Sequence, residues 1–145
     1  MADGESELGA RLEGLGRKLG EREVEHRESV TRAREFAQKL RSEVAAALDR
    51  FHRAAAESGA PHLNIEVSEI RVDDKHLRAV EFDLLRGRHQ AIVTVKARGD
   101  VTLVGPFHAG KAEGPCLTFP IEGDEEFRTA LGSFLERFLE EAATP

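Results

Sequence analysis

From Val30 onward the apolar positions recur every seven residues. Val30, Ala37, Val44 and Phe51 fall on one row, and Ala33, Leu40, Ala47 and Ala54 on the next. Such paired rows describe an amphipathic helix with a coiled-coil-like seam. Phe36, Leu48 and Ala55 widen the seam into a stripe. Arg32, Glu35, Lys39, Glu43, Arg50 and Arg53 occupy the other side. No Gly or Pro interrupts Glu21 to Glu57, and Ser58-Gly59-Ala60-Pro61 then supplies a left-handed cap and a residue that cannot continue. The pattern predicts a helix over residues 21–58. About 37 residues at about 1.5 Å each reach about 55 Å, whereas an eight-residue strand spans about 27 Å. A small sheet therefore covers only part of this helix. The expectation is an overhang rather than a kink at Ser29-Val30-Thr31.

Residues 1–20 hold five of the thirteen glycines, yet Leu8, Leu12, Leu15 and Leu19 share one helical face. Each glycine costs a helix about 1 kcal/mol relative to Ala. This stretch reads as a flexible or docking segment that orders on contact, with a frayed extension of the long helix as the alternative.

The period changes to two at His62. Leu63, Ile65 and Val67 alternate with polar residues, and Ile70 and Val72 resume in the opposite phase, which predicts a bulge near Ser68-Glu69. Asp73-Asp74-Lys75 reads as a turn. Arg86-Gly87 predicts a hairpin with Leu85 opposite Arg88, which sets Leu84, Phe82 and Val80 against His89, Ala91 and Val93. A three-residue loop at Arg98-Gly99-Asp100 sets Ala97 against Val101, Val95 against Leu103 and Val93 against Gly105. After Pro106-Phe107 and a loop from His108 to Pro115, Cys116–Ile121 alternates again, with Leu117, Phe119 and Ile121 on one side. The sheet thus occupies 62–121 as a five-stranded antiparallel meander. Val80, Phe82, Val93, Val95 and Leu103 should be buried, and Glu81, Asp83, Thr94 and Lys96 exposed. Phe127, Leu131, Phe134, Leu135, Phe138 and Leu139 make a closing amphipathic helix over 124–142, with Asp124, Glu125 and Glu126 suited to its positive end. The fold class is α+β: a long N-terminal helix, the meander and a C-terminal helix in two layers, with residues 21–145 as a single domain.

Composition narrows function by exclusion. The chain has 145 residues and a net charge of −6. Residues 1–58 hold 11 basic and 12 acidic side chains, 59–123 hold 8 and 9, and 124–145 hold 2 and 6. No segment has the basic surplus a nucleic-acid backbone demands, so no nucleic-acid partner is expected. No apolar run reaches a membrane span, and the acidic opening residues do not suggest a secretory leader. A cytoplasmic location is the default.

Chemistry is sparse. The six histidines lack His-x-x-His and His-x-x-x-His spacing, and Cys116 stands alone, so no metal, cofactor or catalytic residue is assigned. Cys116, out of phase with its strand's apolar side, should face outward or lie under a loop. Asp73-Asp74 is explained by a turn, and Gly105–Gly114 does not have phosphate-loop spacing.

The expected function is a non-enzymatic protein-interaction or assembly module using the long helix, with Leu12, Leu15, Leu19, Val30, Ala33, Phe36, Ala37 and Leu40 as its seam. The expected partner is another protein or, since an identical seam is always available, a second copy forming a homodimer. Val30, Ala33, Phe36 and Ala37 are expected in that interface, N-terminal to the part under the sheet. The alternative is a small-molecule-binding domain with an apolar pocket between sheet and helices, lined by Phe82, Phe107, Phe119, Phe127 and Phe134.

Overall fold

In the computed structural model, which describes residues 2–73, 78–108, 110, 114–121 and 123–143, the first helix (α1) runs unbroken through Ala2–Glu57. It begins well before the expected start at residue 21, because the glycine-rich segment continues the same helix. Fifty-six residues make a rod about 84 Å long. Its end has the form of a Schellman motif. Gly59 takes a φ of 97°, the Gly59 N–H donates to Ala56 O, and the Ala60 N–H donates to Ala55 O at 2.8 Å.

Six strands follow: β1 Glu66–Val67, β2 Arg71–Asp73, β3 Ala79–Arg86, β4 His89–Lys96, β5 Asp100–His108 and β6 Cys116–Pro120. They occupy five positions, because β1 and β2 both pair with β3 in an otherwise sequential antiparallel sheet. Residues 68–70 of the first position oppose only residues 82–83 of β3, so the bulge falls where the change of phase placed it. The Ser68 N–H donates to Asp83 O at 2.9 Å, and the Asp83 N–H donates to Ser68 Oγ at 2.8 Å. From α1, Arg41 Nε donates to Ser68 O at 2.7 Å and ties the bulge to the helix. Of the expected turn at Asp73-Asp74-Lys75, Asp73 closes β2 and the other two lie outside the described residues. Part of the 108–115 loop lies outside them too.

Both hairpins differ from the expected registers by two residues. Arg86 faces His89, so Phe82 opposes Val93 and Val80 opposes Val95. The turn is Gly87-Arg88, with Gly87 at a φ of 59°, the conformation that the first central position of a II′ turn requires. In the next hairpin Val95 opposes Val101 and Val93 opposes Leu103. Its loop is Ala97–Gly99, closed by the Gly99 N–H donating to Lys96 O at 2.9 Å. A slip of two residues keeps every side chain on its face, so matching faces did not distinguish these registers. β5 also runs on through Pro106 and Phe107 past an irregularity at Gln90–Ile92.

The second helix (α2) spans Asp124–Ala143. Both helices lie against one face of the sheet, α1 over β3 and β4 and α2 over β4 and β5. The layer between them is filled by Val80, Phe82, Val93, Val95 and Leu103 from the sheet, Leu40, Val44 and Leu48 from α1, and Phe127, Phe134 and Phe138 from α2. Arg128 of α2 pairs with Glu43 of α1, and the Arg86 guanidinium donates to Ala142 O. Leu117, expected on the apolar side, is half exposed on the edge strand β6.

No helix lies on the other sheet face among the described elements, yet none of the four polar residues expected to be exposed there is: Glu81 and Lys96 are half-buried, and the other two are buried. Asp83 and Thr94 are each only 9% exposed, and Thr102 beside them 5%. Arg71 reaches over from β2 and covers this face. Its guanidinium donates to both oxygens of Asp83 at 2.9 Å and to Glu81 Oε1 at 3.0 Å. Glu81 Oε2 accepts from Thr94 Oγ1 at 3.2 Å.

Candidate interaction surfaces

The seam read from the sequence divides into two parts with different surroundings. Ala33, Ala37 and Leu40 are buried at 2%, 0% and 3% exposure, packed in the chain's own core with the sheet. They are not available to a partner, and the placement of Ala37 beyond the sheet is corrected. Val30 and Phe36 are half-buried, and Phe36 packs against the same core. Leu8, Leu12, Leu15 and Leu19 are between 49% and 59% exposed, and so is Val24 at 50%.

These two parts are one stripe. At about 100° per residue, Leu8, Leu12, Leu15 and Leu19 fall within about 60° of one another and of Val30, Ala37, Val44 and Leu48. The leucines of the projecting arm therefore point toward the side on which the sheet lies, beyond the sheet's end. Arg22, Glu23 and His26 interrupt the stripe between Leu19 and Val30. The buried stretch from Ala33 to Leu48 is about 23 Å long, close to the length of a strand. The sheet is simply too short to cover the rest. The arm carries Arg17–Glu13 at 2.9 Å and Arg27–Glu23 at 4.0 Å as exposed i,i+4 pairs. Both are oriented with Glu N-terminal, the better order.

Where the arm leaves the sheet, an open hollow of about 710 Å³ lies between α1, the β4–β5 loop and the end of β6. Ala33, Phe36, Pro120 and Ile121 form its apolar side, and Arg32, Lys39, Lys96, Arg98, Glu35 and Asp100 its charged side. Arg98 is paired to Asp100. The pocket expected from the phenylalanines has a different fate: Phe82, Phe127 and Phe134 fill the layer, and Phe107 and Phe119 are half-buried.

Candidate chemistry stays dispersed. His89 and His108 face each other across β4 and β5, with rings edge-on and centroids 5.1 Å apart. Cys116 is exposed. Among the described residues no three His, Cys, Asp or Glu side chains converge as a metal site, and no helix is long and apolar enough to cross a membrane. Sequence reasoning missed Arg71 and Arg41, because each acts across strands or layers and no local pattern marks it. Arg71 is held firmly charged, first by its hydrogen bonds to Asp83 and then by the nearby charges of Glu81 and Asp83, which outweigh burial. It secures the first strand position to β3.

No protein-family model, curated protein or solved structure matches this chain.

Proposed function

We propose that this chain is a non-enzymatic assembly module: the α+β body holds one end of α1, and the leucine face of the projecting arm joins a second copy. One observation carries the reading. The helix has a single apolar stripe, and its own sheet covers only the part from Ala33 onward. A row of half-exposed leucines extending beyond a folded body is the kind of apolar surface that marks an interaction site, and a second copy always supplies a matching row.

The energetics fit a moderate, reversible association. Fully burying a leucine is worth about 1.5–3 kcal/mol. Eight leucines, each half exposed beforehand, give about 6–12 kcal/mol in a pair. Lost translational and rotational freedom costs at least about 4 kcal/mol. The net corresponds to a dissociation constant in the micromolar range or weaker. We place the association in the stronger part of that range, a net of about 5–8 kcal/mol or a dissociation constant of about 1–200 µM, so sedimentation equilibrium from about 1 to 300 µM should show a monomer–dimer transition. The variant carrying Leu12→Glu and Leu15→Glu should remain monomeric with an unchanged thermal transition of the body. A monomeric wild type throughout this range, or a dimer indifferent to the double substitution, would remove the proposal.

A further inference from the structure

We infer that the two arms pair antiparallel, in a register set by Glu5, Leu8, Leu12, Leu15, Leu19 and Arg22; the inference rests on self-association through the leucine face. The spacing of these six residues is 3, 4, 3, 4, 3, and it reads identically in both directions. In an antiparallel pair centred between Glu13 and Gly14, Leu8 meets Leu19 of the second copy and Leu12 meets Leu15. The leucine layers are then closed at each end by Glu5 opposite Arg22. The two charges are opposite in sign and lie outside the apolar layers, where an ion pair remains hydrated. Among the described residues neither forms an ion pair within its own arm, whose pairs are Arg17–Glu13 and Arg27–Glu23.

A parallel pair would instead set Glu5 against Glu5 and Arg22 against Arg22, like charges at both ends of the leucines.

Steric fit gives the same orientation independently. The arm's leucines point to the side occupied by the sheet. A parallel partner helix, running on past residue 30, would enter the space that this chain's own sheet fills. In the antiparallel register the second copy's Ala2 lies level with Glu25, short of the hollow that begins at Ser29. The second body lies beyond the first chain's N-terminus. The free arm is long enough for this pairing and stops before the sheet.

Spin labels on the full chain test the orientation, with Cys116→Ser to remove the exposed native thiol. Labels at Glu25→Cys sit 23 residues out of step in the antiparallel pair, a separation of about 35 Å along the axis. Labels at Glu13→Cys lie nearly level and should be close. Charge reversal supplies the second arm of the test. Glu5→Arg or Arg22→Glu alone should weaken dimerisation about three- to tenfold, and the double reversal should restore it to within about twofold. Short distances at both label sites, or charge reversals without rescue, would overturn the antiparallel register while leaving self-association standing. A chain that stays monomeric would overturn both.

Discussion

Leu40 and Leu12 are the same residue type, on the same helix and four seven-residue periods apart, and truncating each should have separable consequences. Leu40 is 3% exposed and Leu12 59%. Leu40→Ala empties space between α1 and the sheet. The lost transfer energy and the cavity together cost about 2–5 kcal/mol, against a total domain stability of about 5–15 kcal/mol. In urea the midpoint should fall by about 1–2 M with an unchanged slope, and the melting temperature by about 5–20 °C. Neither shift should depend on protein concentration beyond the contribution of the dimer itself. Leu12→Ala removes a side chain that the monomer leaves in water, so well below the dissociation constant it should change stability by no more than about 0.5 kcal/mol. Its effect appears on association: two half-exposed leucines are lost per dimer, about 1.5–3 kcal/mol, which raises the dissociation constant about ten- to hundredfold. Urea titrations at two concentrations, one on either side of the dissociation constant, measure both. A Leu40→Ala chain as stable as the wild type would mean that α1 does not pack on the sheet. A concentration-independent loss of several kcal/mol from Leu12→Ala would mean that the arm packs on its own body, and the case for a free leucine face would fail.

Two further outcomes follow from particular contacts. The Glu43 carboxyl is held below its ordinary value of 4.5, first by its hydrogen bond to Arg128, against a smaller opposing effect of burial. The stabilisation is therefore complete above that ordinary value and is lost as pH falls through the depressed one. Glu43→Gln should be slightly less stable than wild type at neutral pH. In acid titrations the two curves should converge below the depressed value, and a gap that persists there would contradict the linkage. Glycine-to-alanine substitutions should have opposite signs along the chain. Gly14→Ala, in a helix with nothing near its β position, should raise arm helicity and stabilise the helix by up to about 1 kcal/mol. Gly105→Ala should destabilise by about 1–3 kcal/mol, because Gly105 sits at a φ of 113° with Gln90 O 3.1 Å from the added carbon; circular dichroism melts of both variants check the signs.

The amino-acid sequence by itself determined which elements form and which faces they bury. A seven-residue period needs only one helix to be visible, and a two-residue period only one strand, so α1 from residue 21 onward, the sheet, the bulge at Ser68–Glu69 and α2 were all legible. The arm was half legible: its leucine spacing was plain, but its glycines argued against continuing the helix, and the structure shows the helix continuing. Only the tertiary structure decided how much of the stripe the chain covers itself. Periodicity records the angle around a helix, not the length of the sheet laid against it, so Ala37 and Leu12 looked equivalent until one was buried and the other was not. Strand register was open by steps of two for the same kind of reason, because such a slip moves no side chain off its face; the backbone of Gly87 and Gly99 settled it. Asp83 lost its expected exposure to Arg71, twelve residues away, brought alongside by the bulge. Contacts of that kind depend on which strands become neighbours, and no local pattern along the chain records it.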